Sequence, residues 1–305
     1  MKIVLLHDGD DKKSASDLLE VIKEQRINGE SLPFEGDWET KGPSWEEKFA
    51  EATHFIAIFS ESSDQRPSGP SWFSFAAGFA RGSGRPLVLF GANMDALGAH
   101  FIKDGIRIRD GGEFSAYLIR ESEEWTRANR VKQARDSLLE QGIPVTLDSL
   151  GRCIKEKDCQ AVSLFLQAGF AADTLDKAGV PLLCLAVRAG DRGIVSLLLQ
   201  AGAQVNLKSQ DRGGSALIDA ALGKHSEILG DLLAAGADTD TKSKDGQSPL
   251  IISVGLNDEP TVEMLLKAGA NADEPDSLGA SARKYATLFN KPGMVALFQK
   301  YAPAK

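Results

Sequence analysis

Apolar residues in the first 110 positions fall into short runs separated by amphipathic stretches. Residues 2–7 (KIVLLH) form an unbroken run of strand length, and residues 11–26 (DKKSASDLLEVIKEQR) follow with Ala15, Leu18, Leu19 and Ile22 at helical spacing. A short strand is predicted at 31–34, a Gly/Pro-bounded helix at 44–52, a buried strand at 53–60 (THFIAIFS) and a compact helix at 71–82. Strands at 86–91 (PLVLFG) and, on an edge, at 105–109 (GIRIR) complete the alternation, and a charged helical stretch runs over 114–141. Alternating strands and helices predict a doubly wound parallel sheet with helices on both faces. Right-handed crossovers then put any ligand at the carboxyl edge of the strands.

The second half has a different period. An Ala-Gly pair recurs with glycines at 169, 202, 236 and 269, each after an apolar stretch (SLFLQAG, SLLLQAG, DLLAAGA, EMLLKAG). Twenty-one residues upstream of each lie DSLGRCI, PLLCLAV, SALIDAA and SPLIISV, and a fifth unit, SARKYAT, follows at Ser281. Leu150, Leu183, Leu217 and Leu250 occupy one helix position, small residues such as Ala186, Ala220 and Ser253 permit close helix approach, and each glycine suits a left-handed helix cap. One extra residue near Gly213-Gly214 is expected in a turn. These segments resemble the ankyrin repeat, with its TPLHxAA and VxLLLxxGA patterns. The resemblance implies an all-α solenoid of about five repeats whose fingers are TLDKAG, KSQDRGG and KSKDGQS, and whose concave face docks a protein partner. Gln210, Arg212, Lys242, Lys244, Asp273 and Asp276 are the candidate contacts. Arg283 and Lys284 replace apolar residues in the last unit, as an outer repeat with a polar face requires. His225 matches the family's Gly-His turn and is expected to be a structural, hydrogen-bonding histidine. The domains expected are 1–142 and 143–305.

Composition narrows the function. The 305 residues carry 35 basic and 43 acidic side chains, and the first 142 hold 18 and 24 of them. Without surplus Lys and Arg, nucleic-acid binding is not expected. Cys153, Cys159 and Cys184 form no disulfide framework and no zinc-ligand spacing. No run reaches the length of a membrane span or a signal h-region, so a cytoplasmic protein is expected, with no metal and no membrane partner.

The first half also carries motif-level likenesses. VLLHDGDDKKSASDLLEVIKE, SWEEKFAEATHFIAIFSESS and SWFSFAAGFA follow the segment order of TIR domains, and WFSFAAGFARGSGRPLVLF fits the related nucleoside deoxyribosyltransferase frame. This TIR-like resemblance implies a flavodoxin-like topology. It also implies a glutamate on the 71–82 helix that serves a cleaved N-glycosidic bond, because a carboxylate stabilises or traps the cationic sugar. Both alignments put Ala76 there. The expectation is therefore a signalling adaptor with a pseudoenzyme domain that self-associates or holds a nucleotide-like ligand without cleaving it, and no cofactor. Ligand candidates at the strand edge and on the motifs are His7, Asp8, Gly9, Asp11, Trp45, Ser60 and Trp72. Asp11 doubles as a candidate helix cap. The alternative is an active NAD- or nucleoside-cleaving enzyme using Glu61 or Asp64.

Overall fold

The structure is a computed structural model that describes residues 1–8, 11–34, 44–59, 71–91 and 105–302. The chain divides into two compact units, Met1–Asn129 and Arg130–Lys305.

In the first unit, strands β1 (Lys2–Asp8), β2 (Asn28–Phe34), β3 (His54–Ile58), β4 (Leu87–Phe90) and β5 (Ile106–Ile108) form one parallel sheet in the order β2-β1-β3-β4-β5. That order is the flavodoxin-like one, with its switch point between β1 and β3. Helix α1 (Lys12–Glu24) and the first part of α4 (Gly111–Glu140) cover one face, and α2 (Ser44–Glu51) and α3 (Ser71–Gly82) the other, while Ala134 and Leu138 of α4 belong to the core of the second unit. Strands β1, β3 and β4 read as nearly continuous apolar runs because both faces are covered. Val4, Leu6, Phe55, Ala57 and Leu89 pack under α2 and α3, while Ile3, Leu5, Ile56, Ile58, Val88 and Ile108 pack under α1 and α4. Strand β2 begins at Asn28, earlier than the predicted Ser31, and pairs with β1 along all seven residues. Its polar start (Asn28, Gly29, Glu30) hid it from the hydropathy pattern, and an edge strand tolerates that polarity. Gly29 is required there, since a Cβ would meet Ile22 of α1 at 2.7 Å.

The second unit comprises, among the described residues, five helix pairs: α5 (Leu147–Lys155) with α6 (Cys159–Gln167), α7 (Leu182–Ala189) with α8 (Arg192–Gln200), α9 (Ala216–Gly223) with α10 (Ser226–Ala234), α11 (Pro249–Gly255) with α12 (Glu259–Lys267), and α13 (Ala282–Leu288) with α14 (Pro292–Tyr301). First helices stack on first helices and second on second, so each pair touches chiefly its neighbours. Leu150, Leu183, Leu217 and Leu250 are buried in one continuous core that runs through all five pairs. Burying each contributes about 2 kcal/mol. After each of the first four second helices, Gly169, Gly202, Gly236 and Gly269 adopt positive φ, and a following amide reaches back five residues (Phe170 to Phe165, Ala203 to Leu198) in a Schellman closure.

The extra residue does sit in a finger. Three fingers close with an amide four residues before its carbonyl (Asp176 to Val180, Ser243 to Gln247, Asp276 to Ala280), whereas the remaining one spans five, from Ser209 to Gly214, with Gly213 at φ 67°.

First helices end on a left-handed residue that is glycine only in the second repeat. Lys157, Gly190, Lys224, Asn257 and Asn290 all have φ between 49° and 68°. Gly190 has a second reason to be glycine, because a Cβ would meet the His225 ring at 2.7 Å. Gly190→Ala is expected to destabilise the protein by at least about 1 kcal/mol. Lys157→Gly, which relieves a left-handed lysine at the cost of unfolded-chain entropy, is expected to stabilise it by about 0.5 kcal/mol. Urea denaturation of the two variants checks both signs.

Candidate functional site

The carboxyl edge of the sheet is where the sequence places a ligand. His7, near the end of β1, is buried, and its Nε2 lies 2.7 Å from Ser31 Oγ on the neighbouring strand. Asp11 occupies the position before α1 but makes no capping hydrogen bond. Its ψ of 10° departs from the extended backbone that lets a capping oxygen reach the N2 or N3 amide. The carboxylate is 1% exposed, and neither oxygen has a hydrogen-bond partner among the described residues. Leaving a buried carboxylate unsatisfied is costly. Asp8, Trp45 and Trp72 occupy backbone positions in β1, α2 and α3. Gly9, Ser60, Glu61 and Asp64 lie outside the described residues.

Ala76 has no exposed surface and packs in the cluster of Phe49, Phe55, Phe73 and Ala80 between α3 and the sheet. Phe49, Phe55 and Phe79 interlock there with ring centroids 4.9–5.8 Å apart. A carboxylate at position 76 would be sealed among phenylalanines.

The opposite, amino edge holds a feature that the sequence did not flag. An open hollow of about 620 Å³ is lined by the end of α2, by Thr53 and His54, by the Gly84–Pro86 turn and by Glu121, Glu124 and Trp125 of α4. His54 is buried at its base, with Nε2 3.0 Å from Glu121 Oε1 and Nδ1 2.9 Å from Thr53 Oγ1. Thr53 already donates to the Lys2 carbonyl, so both ring nitrogens face acceptors. Arg85 is committed to the Phe49 and Ala50 carbonyls that end α2. His54 was concealed inside an apolar run, and Glu121 inside a helix with charges on every side. Among the described residues, no three His, Cys, Asp or Glu side chains are grouped to hold a metal ion.

In the repeat unit, the predicted contact residues prove to be stitched into the fingers. Lys244 Nζ donates to the Gln210 and Asp211 carbonyls at 2.7 and 2.8 Å, and its amide to the Arg212 carbonyl. The Gln210 amide donates to Gly179 O, and Lys242 pairs with Glu274. Asp276 accepts from the Leu278 and Ala280 amides and from Tyr285 Oη, and these bonds outweigh its burial and hold its carboxyl below the usual range. Asp273 belongs to a ladder. Asp173, Asn206 and Asp240 each accept an amide of the next repeat, from Gln204, Asp238 and Asn271 at 2.6–2.9 Å. Asp273, one repeat on, instead takes Arg283 on both oxygens, at 2.7 and 3.0 Å. Arg283 also donates to Ala302 O. The polar residue expected in the last unit is thus a specific closure of that ladder. Arg212 is exposed and 3.8 Å from Asp219.

Asp219 and Arg188 were not anticipated. Asp219 sits buried on α9, and burial pushes its carboxyl up against the pull of the Arg188 guanidinium, whose Nε is 2.9 Å away. Arg188 also makes a two-pronged bond to Asp211, at 2.6 and 3.1 Å, and holds that carboxyl well below the usual carboxylate range. Cys184, pushed up to about 12 by burial, Cys153 and Cys159 have raised thiols, the state of inert packing cysteines. His225 packs on Gly190 and Gly223, a structural role, and makes no capping hydrogen bond to α10.

Removing Arg188 leaves the buried Asp219 with only the more distant, exposed Arg212 as a counter-charge, so Arg188→Ala is expected to cost about 3 kcal/mol near pH 7. In that variant the folded pKa of Asp219 lies further above its unfolded value, so the penalty belongs to the ionised form and fades as pH falls. Denaturation near pH 7 and near pH 5 is expected to show a smaller loss at the lower pH.

No helix of the described residues is long and apolar enough to cross a membrane. Residues 150–243 and 217–303 match the family described as ankyrin repeats in three copies. An ankyrin repeat-containing protein of Treponema pallidum (strain Nichols) is 31% identical over 299 residues, covering 97% of this chain and 99% of that protein. That similarity therefore takes in the α/β unit as well. Human neurogenic locus notch homolog protein 1 is 31% identical over 144 residues, which is 46% of this chain but 6% of that protein. The chicken nuclear factor NF-kappa-B p105 subunit is 32% identical over 152 residues, 46% of this chain and 16% of that protein. With matched residues, paired helices and finger turns in agreement, the chain belongs to the ankyrin-repeat family.

Proposed function

We propose that this protein is a cytoplasmic docking adaptor whose repeat array binds a protein partner on the side formed by fingers and first helices. The carrying observation is that five helix pairs share one continuous core, in which the buried carboxylate Asp219 is ion-paired to Arg188. Such a stack offers an extended surface rather than a reaction pocket. Residues 1–142 form its TIR-like partner domain, which self-associates or holds a nucleotide-like ligand. The buried Asp11 carboxylate, which has no hydrogen-bond partner among the described residues, lies beside the switch point and favours the ligand, since hydroxyl or amino donors would satisfy both oxygens. The buried alanine at position 76 favours binding without cleavage.

Incubating the purified chain with NAD and with nucleosides tests the non-catalytic part. No release of nicotinamide or free base is expected. Release abolished by Glu61→Ala would overturn this reading in favour of a hydrolase or transferase. For the α/β unit, Asp11→Ala is expected to abolish any thermal stabilisation by NAD or nucleotides, which binding to the folded state would produce.

A further inference from the structure

The hollow at the amino edge of the sheet lies wholly within the first unit, between the end of α2, the start of β3, the Gly84–Pro86 turn and one stripe of α4. On that stripe Glu121, Glu124, Trp125 and Ala128 recur at helical spacing, so their side chains share a face. The cationic groups at the rim are already engaged. Lys2 Nζ bonds Glu51 at 2.7 Å and approaches Glu30 at 3.5 Å, Arg85 is held by the last carbonyls of α2, and His54 lies between Glu121 and Thr53. Arg120 is drawn over the Tyr117 ring, and Glu123 and Arg127 are exposed and outside the lining. Acceptor capacity is left over. Buried His54 holds Glu121 by Oε1, while the other Glu121 oxygen makes no hydrogen bond among the described residues. Glu124 makes no hydrogen bond or ion pair among the described residues. Trp125 is half-buried, and among the described residues neither an aromatic ring nor a cation lies against its indole.

We infer that this hollow is a binding site for a guanidinium group, with Trp125 as its platform and Glu124 and Glu121 as its acceptors. The capacity left over decides the sign of the ligand. Every cation at the rim has its partners, so what enters must bring donors of its own. A guanidinium is planar and weakly hydrated, stacks on an indole and forks its N–H groups onto carboxylates, whereas an ammonium is a compact and strongly hydrated point charge. Residues three apart on a helix, as Glu121 and Glu124 are, carry Cβ atoms about 5–6 Å apart, a span that the fork can bridge. Ala50, Ala52, Pro86 and Ala128 give the aliphatic stem an apolar wall. The volume of about 620 Å³ is that of a small-ligand site, and the open mouth admits a free guanidinium compound or an arginine side chain of a protein. The site stands at the edge opposite Asp11 and does not depend on a nucleotide-like ligand there.

The test uses the isotope-labelled full chain and follows the Trp125 indole N–H resonance, assigned with Trp125→Phe. Ethylguanidinium and the peptide acetyl-Gly-Arg-Gly-amide are each expected to shift it saturably, more weakly as salt rises. Glu124→Gln is expected to raise both dissociation constants about tenfold, the loss of one charge-assisted contact. Glu123→Gln, outside the lining, is expected to leave them unchanged, and both variants should melt at the parent temperature because both side chains are exposed. Tighter binding of the peptide than of ethylguanidinium places the group on a protein, and equal or weaker binding places it on a small molecule; either supports the site. An equal shift by the citrulline peptide, in which a neutral urea group replaces the guanidinium, would overturn the inference, as would equal binding of ethylammonium. So would an indole resonance unmoved by either guanidinium probe, or affinities indifferent to Glu124→Gln.

Discussion

No helix pair of the second unit can bury its own apolar surface. Leu183 or Leu217 is shielded only because the pairs before and after it supply the other walls, so stability is transmitted from neighbour to neighbour along the stack. This nearest-neighbour dependence governs the rest of that unit. It explains why a 33- or 34-residue period is kept, why the one insertion is confined to a finger, and why the last repeat departs from the pattern at the position where the others carry leucine.

Polar groups follow the same rule of adjacency. Asp173, Asn206 and Asp240 each bond an amide one repeat ahead, so the finger ladder needs a successor at every step. Asp273 has no such amide, and Arg283, placed where the interior repeats have leucine, supplies a guanidinium instead. A residue that reads as solubilising in the sequence is thus a terminator with defined partners. The residues most tempting as partner contacts, Lys242, Lys244, Asp273 and Asp276, are mostly occupied in holding finger to finger.

Much of the architecture was legible because it rests on local or periodic signals. Helix α3 runs over Ser71–Gly82 as predicted, and the left-handed glycines mark the second-helix ends. Strands β1, β3 and β4 read correctly because burial on both faces makes them almost uniformly apolar, whereas the polar start of β2 shortened its prediction. Signals carried by distant pairs were not legible. The Arg188–Asp219 bond joins residues 31 apart, and His54 meets Glu121 across 67 residues, and neither partner is unusual in its own segment. Asp11 looked like a helix cap because residue type and position agreed, yet the backbone dihedral that decides capping is not written in composition.

The α/β unit and the array place opposite demands on their buried carboxylates. Asp219 is neutralised by an arginine in the same fold, while Asp11 has no such partner among the described residues. The central claim is that protein recognition takes place on the first-helix layer of the repeats. A photo-crosslinking residue at position 256, compared with one at position 196 on the second-helix layer, tests it in cells. The account predicts a discrete protein adduct from position 256 and none from position 196. Adducts from position 196 alone would contradict it.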